Sequence, residues 1–158
     1  MEEKNIVNKT VIVTGGSRGI GAEIVRMFAR NNYNVVLNYY QSEEKAKAIQ
    51  EELKQQGKKI EIFKADVSKR SEIKELVRFT IDKFQTIDIL INNAGISQVK
   101  MFTYITYEDW DYMMKRNLNS VFYCTQEVLP TMIGKKEGCI INISSVWGIV
   151  GGSCEVHL

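Results

Sequence analysis

The sequence predicts an α/β fold: one doubly wound parallel sheet of five strands in the order 3-2-1-4-5, with helices on both faces. Three observations carry the prediction. Short runs of β-branched and aliphatic residues recur along the chain, apolar toward both faces instead of alternating. Stretches with apolar residues at helical spacing separate them. A glycine-rich turn joins the first run to the first helical stretch. Right-handed crossovers then gather the strands into one sheet, with a ligand crevice at the carboxyl ends of the first and fourth strands.

Residues 8–14 form the first strand, a β-branched run that ends in glycines. The first helix opens at Gly19 and runs through Arg30, with Ile20, Ile24 and Phe28 at helical spacing. Residues 34–39 make the second strand. The second helix spans about 43–56, with Ser42 as its cap, glutamates in its first turn, Ala46, Ile49 and Leu53 as its apolar stripe, and Gly57 closing it. Residues 59–65 make the third strand. Ser68 caps a third helix that places Ile73, Val77, Ile81 and Phe84 on one face, and residues 87–91 make the fourth strand. A long helix follows from 107 to about 132, capped by Thr106, with Pro130 near its end. Residues 138–144 make the fifth strand.

With 44% apolar and 25% charged residues, residues 1–158 read as one globular domain with one core. The net charge is +2 and the basic residues are scattered, which argues against a nucleic-acid groove. No apolar run approaches the roughly 20 residues that span a bilayer, and the acidic start Met1-Glu2-Glu3-Lys4-Asn5 lacks the apolar core of a secretory signal. A cytoplasmic location is expected. Cys124, Cys139 and Cys154 have no metal-ligand spacing and read as free buried thiols; with His157 the sole histidine, no metal site is expected.

The chemistry begins at Thr14-Gly15-Gly16-Ser17-Arg18-Gly19-Ile20-Gly21, where the first strand turns into the first helix. Glycines let the backbone adopt positive φ and approach a ligand closely. Free N–H groups and the helix dipole then attract an anion, here the diphosphate of a dinucleotide. The segment resembles the cofactor signature of the short-chain dehydrogenase/reductases, and four further motifs follow in the family's order. These are Asp66-Val67 after the third strand, Asn92-Asn93-Ala94-Gly95 after the fourth, Asn117 in the long helix, and Ile141-Asn142-Ile143-Ser144-Ser145 at the end of the fifth. Within the family the pattern is most similar to the bacterial 3-oxoacyl-acyl-carrier-protein reductases.

The resemblance implies a Rossmann-type fold with Thr14, Gly15, Ser17, Arg18, Gly19, Ile20, Gly21, Asn38, Asp66, Val67, Asn93, Ala94 and Gly95 at the cofactor, the Asp66 carboxylate on the adenine ring. It also implies Ser145 as the serine that hydrogen-bonds the substrate oxygen, and Asn117 as the asparagine that holds a water in the proton relay. No acid stands at the end of the second strand, where Asn38-Tyr39-Tyr40-Gln41 is found, and Arg18 can pair with a phosphate. Both features favour NADP(H) over NAD(H). The substrate is then a small-molecule ketone or one bound to acyl carrier protein, and family members are typically homotetramers that use the fourth and fifth helices.

By the family's spacing from Ser145, the proton-donating tyrosine of its Y-x-x-x-K motif falls on Leu158. The sequence therefore reads as a reductase truncated before that motif, lacking the family's C-terminal strands and helices, with its fifth strand an exposed edge. Two alternatives stay open: a non-catalytic nucleotide-binding fragment, and a short-chain dehydrogenase of another substrate. A serine hydrolase at Ser144 or Ser145 is disfavoured, because no G-x-S-x-G elbow is present.

Overall fold

The structure, a computed structural model, describes residues 9–155; the acidic start, Asn8, His157 and Leu158 lie outside the described residues. Its elements alternate as expected: β1 (Thr10–Val13), α1 (Gly19–Arg30), β2 (Asn34–Tyr39), α2 (Glu43–Gln55), β3 (Ile60–Lys64), α3 (Arg70–Phe84) and β4 (Ile89–Asn92). There follow α4 (Tyr107–Met114), a π-helical segment (Lys115–Asn119), α5 (Ser120–Lys135), β5 (Cys139–Asn142) and a short α6 (Trp147–Val150).

The five strands form one parallel sheet in the order β3-β2-β1-β4-β5. In register, Ile12 lies beside Val36 and Leu90, and Leu90 beside Ile140. Because strand side chains alternate between faces, the buried runs feed two cores. Val11, Val13, Val35 and Leu37 face Val25 of α1 and Leu53 of α2. Ile12, Val36 and Leu90 face Ile73 and Leu76 of α3 and Val128 and Met132 of α5. That two-sided cover is what continuous β-branched runs require. Among the described residues no helix is long and apolar enough to cross a membrane.

Several local expectations are corrected. Four strands are shorter than their apolar runs, because the end residues turn out of the ladder into loops. Ile20 is 65% exposed, so α1 is anchored through Gly21, Ala22, Val25 and Ala29 rather than through an Ile20 stripe. Ser42 makes no side-chain cap bond. Ser68 is not a cap: its N–H and hydroxyl both donate to Asp66 Oδ1, and α3 starts from Lys69. Thr106 does cap, in a reciprocal box with Asp109. The long helix is broken by the π-segment and runs past Pro130 to Lys135. Of the three free cysteines only Cys124 is buried, its thiol pushed up to about 12 by desolvation, which leaves it inert; Cys139 is exposed on β5.

Candidate functional site

At the carboxyl ends of β1, β2, β3 and β4 the sheet opens into a crevice of about 470 Å³, within the range of small-molecule sites. Its floor is the turn from β1 into α1. Gly15 and Gly19 adopt positive φ, +63° and +54°. At Gly21 a Cβ would stand 2.4 Å from the Gly15 carbonyl oxygen and 2.5 Å from Asn93 Nδ2, so only glycine lets the helix start this close to the turn. Around Gly19, by contrast, a Cβ would meet nothing within 4 Å, because that backbone faces the open crevice.

The N-terminus of α1 has neither a side-chain cap bond at Arg18 nor an acidic residue in its first turn. The leading N–H groups of a helix have no partner within it. Here they meet the crevice with the positive end of the helix dipole, which is the arrangement that holds an anionic group.

Two strand ends brace this turn. Asn93 Nδ2 donates to the carbonyls of Thr14 (2.9 Å) and Gly15 (3.2 Å). The Thr14 hydroxyl accepts from the N–H groups of Asn93 and Ala94, both at 3.0 Å, and donates to the Ile91 carbonyl. From β2, Asn38 Nδ2 donates to the Ala65 carbonyl at 3.0 Å while its Oδ1 accepts from Gly15 N–H. These bonds tie β1, β2, β3 and β4 together at the floor and fix the glycine backbone before any ligand arrives.

Gly15, Ser17, Arg18, Gly19, Ile20 and Gly21 line the crevice, as do Asn38, Asp66, Val67, Asn93, Ala94 and Gly95. Thr14 lies behind it, buried, and acts through the bonds just described. The exposure of Ile20 is now explained, since its side chain borders the crevice instead of the core. Asn117 and Ser145 are not among the lining residues. Asn117 instead clamps the loop after β4: its Oδ1 accepts from Ile96 N–H and its Nδ2 donates to the Ile96 carbonyl, both at 2.9 Å. Ser145 is half-buried just beyond β5, its Oγ accepting from Trp147 N–H at 3.2 Å.

Sequence reasoning missed Ile96 and Arg116, which also line the crevice. Ile96 follows the Asn-Asn-Ala-Gly run, so continuing that loop by one residue would have found it. Nothing local marks Arg116. Asp66 is buried, and the Glu72 carboxyl that accepts from its backbone N–H at 2.6 Å is held below the ordinary glutamate range, first by that bond and then by Lys69.

The profile of the short chain dehydrogenase family matches residues 9–157. The chain belongs to the short-chain dehydrogenases. It is 39% identical over 151 residues to the 3-oxoacyl-[acyl-carrier-protein] reductase of Staphylococcus epidermidis, covering 96% of this chain and 62% of that protein. The enzyme of the same name from Synechocystis is 39% identical over 149 residues, covering 94% and 60%. Among solved structures, a metagenomic short-chain oxidoreductase in complex with NADP superposes with a TM-score of 0.89 at 30% identity, over 94% of this chain and 67% of that one. The chain thus spans about three-fifths of the length of the curated short-chain dehydrogenases it matches. The β3-β2-β1-β4-β5 order read from the sequence is the order observed.

Proposed function

We propose that this chain carries the cofactor-binding part of an NADPH-dependent ketone reductase whose substrate is 3-oxoacyl-[acyl-carrier-protein]. The observation behind this reading is the uncapped start of α1 over the braced glycine turn, where open backbone around Gly19 leaves room for a diphosphate. Preference for NADP(H) is supported by the exposed Arg18 on the crevice rim and by the absence of an acid in the Asn38-to-Gln41 stretch, where a carboxylate would repel a 2′-phosphate. The NADP bound to the solved relative and the names of the staphylococcal and cyanobacterial enzymes support cofactor and substrate in turn.

NADPH held on the glycine turn would be the source of the hydride for the ketone. The chain's own residues orient and stabilise. Gly15 to Gly21 grip the diphosphate, and the Asn93–Thr14 bonds hold that grip rigid before binding. Ser145 Oγ hydrogen-bonds the substrate oxygen as negative charge builds there. Asn117 fixes the loop at Ile96 and, as the family resemblance implies, would hold a water of the proton relay. The proton that completes the alcohol needs an acid, and Leu158, at the family's tyrosine position, has none to give. The same reading implies a cytoplasmic enzyme and a homotetramer that uses the long helix spanning α4, the π-segment and α5, whose surface exposes Leu118, Phe122 and Ile133, together with the family's next helix.

Titrating the 158-residue chain with NADPH and NADH, followed by cofactor fluorescence, tests the reading. Saturable binding with NADPH preferred is expected, and negligible NADPH oxidation with a β-ketoacyl thioester. No fluorescence change at millimolar NADPH would remove the proposal. Measurable turnover would overturn the account of the missing acid.

A further inference from the structure

Ser145 does not line the crevice, so its reach toward a substrate depends on where the segment after β5 is held. That segment is anchored at its start by the Ile143 N–H, which donates to the Asn92 carbonyl at 2.9 Å. Near its far end the Cys154 carbonyl accepts from the Lys100 N–H at 2.8 Å, with Cys154 itself in the left-handed region at φ +62°. Between these anchors the segment packs on itself. Buried Gly152 lies so close to Trp147 that a Cβ there would stand 3.0 Å from Cδ2 of the ring, and the Trp147 N–H donates to Ser145 Oγ. Lys100 is held in its turn. Its ammonium pairs with Asp109 Oδ2, which also accepts the Thr106 N–H at 3.0 Å, while Oδ1 accepts from Gln98 Nε2 at 3.1 Å. Both members of the pair are partly buried, with side-chain exposures of 31% for Lys100 and 21% for Asp109. These donors, Lys100 first, hold the Asp109 carboxyl far below the ordinary carboxylate range, so the acceptor stays ionised at neutral pH.

We propose that Asp109 is a positioning residue for Ser145: by holding Lys100 it locks the loop after β4 to the segment after β5, and so sets how far Ser145 reaches. This rests on the reading of Ser145 as the donor to the substrate oxygen. The path is one of direct contacts. It runs from Asp109 to the Lys100 ammonium, from the Lys100 N–H to Cys154, then through Gly152 on Trp147 to Ser145. A donor aimed at developing negative charge must be held within about 0.5 Å of its working position. Asn117 pins the loop at Ile96, and Asp109 pins it at Gln98, Lys100 and Thr106. Without the second set of pins the loop would sample many conformations, and each would carry the Cys154 end with it. A carboxylate suits the task, because one group takes three donors and the bond from Lys100 is charge-assisted. The same carboxylate closes the capping box with Thr106, so a single residue fixes both the start of α4 and the loop before it.

The test compares the 158-residue chain with its K100M, K100R and T106A variants by amide hydrogen exchange, and by calorimetric titration with NADP+ and then acetoacetyl-coenzyme A. K100M removes the ion pair and leaves the Thr106 box, whereas T106A weakens the box and leaves the ion pair. Exchange at the Trp147 to Gly151 amides should rise about tenfold in K100M, the equivalent of one lost charge-assisted bond. It should stay unchanged in T106A, and K100R, which still reaches Asp109, should restore the protection. Thioester affinity of the NADP+-loaded chain should also fall about tenfold in K100M, with affinity for NADP+ itself unchanged. Faster exchange confined to residues 98–106 would overturn the proposal, as would an equal rise at Trp147 to Gly151 in T106A, which would reduce Asp109 to a helix cap. Equal losses of NADP+ and thioester binding in K100M would also overturn it. If the unaltered chain binds no NADP+, the dinucleotide reading itself fails, and the exchange measurements still decide whether Asp109 holds the Ser145 segment.

Discussion

Every residue of β1 and β2 is buried, whereas on β5 Ile140 alone is half-buried and Ile141 is 42% exposed. Edge position does not explain the contrast, since β3 is equally an edge and yet Ile60 is buried and its next three residues are half-buried. The difference lies in which helices reach which strand. α2 packs on β3, and its stripe of Ala46, Ile49 and Leu53 joins the core formed with β1 and β2. On β5, Ile140 points to the face covered by α3 and α5. Ile141 pairs with Ile91, whose face belongs to α1 and α2, and among the described residues no helix on that face extends to β5. The crevice side is therefore held by its own core. On the β5 side Ile141, Ile143, Trp147 and Ile149 are exposed among the described residues.

The largest effect expected is at Leu37, fully buried on β2. Leu37→Ala should cost about 2–5 kcal/mol, the usual range for truncating a packed core leucine, while Ile141→Ala on β5 should cost under about 1 kcal/mol. Denaturant unfolding of the two variants decides. Equal losses would mean that the β5 flank is covered in solution and would break the comparison.

Gly21→Ala comes next. Its methyl would press on the Gly15 carbonyl and on Asn93, with a strain cost of about 1–3 kcal/mol. Weakened NADPH binding should accompany it, measurable in the same fluorescence titration. An alanine variant with full affinity would show that the turn tolerates movement. Asn93→Ala removes two hydrogen bonds to the Thr14 and Gly15 carbonyls. Melting should then reveal a loss of about 1–3 kcal/mol, with NADPH affinity reduced although Gly15 to Gly21 are unchanged.

The smallest effect is a pH dependence at the loop after β3. Glu72 has a carboxyl lowered from its ordinary 4.5, chiefly because it accepts the Asp66 N–H and secondly because Lys69 adjoins it. A folded value below the unfolded one means that the stabilisation is fully present above the unfolded value. It is lost as pH falls through the lowered folded value. The melting-point difference between the unaltered chain and Glu72→Gln should therefore be constant at neutral pH and shrink on acidification below 4.5. A difference that grew on acidification would reverse the sign and refute the bond's role.

What the sequence determined by itself is local. The β-branched runs, the helical spacing of Ala46, Ile49 and Leu53, the Thr106 cap and the glycine turn each depend on neighbours within a few residues, and all could be read before any coordinates. The ordered motifs from Gly15 to Gly95 likewise marked most of the crevice lining. The structure decided which of several possible partners each side chain takes. Ile20 turns from core to crevice, Ser68 gives its hydroxyl to Asp66 instead of to α3, and a π-segment breaks the long helix so that Arg116 meets Asp66 while Asn117 grips Ile96. The physical reason is that side-chain period reports which residues share a face, whereas what that face meets is set by other elements that the fold brings alongside.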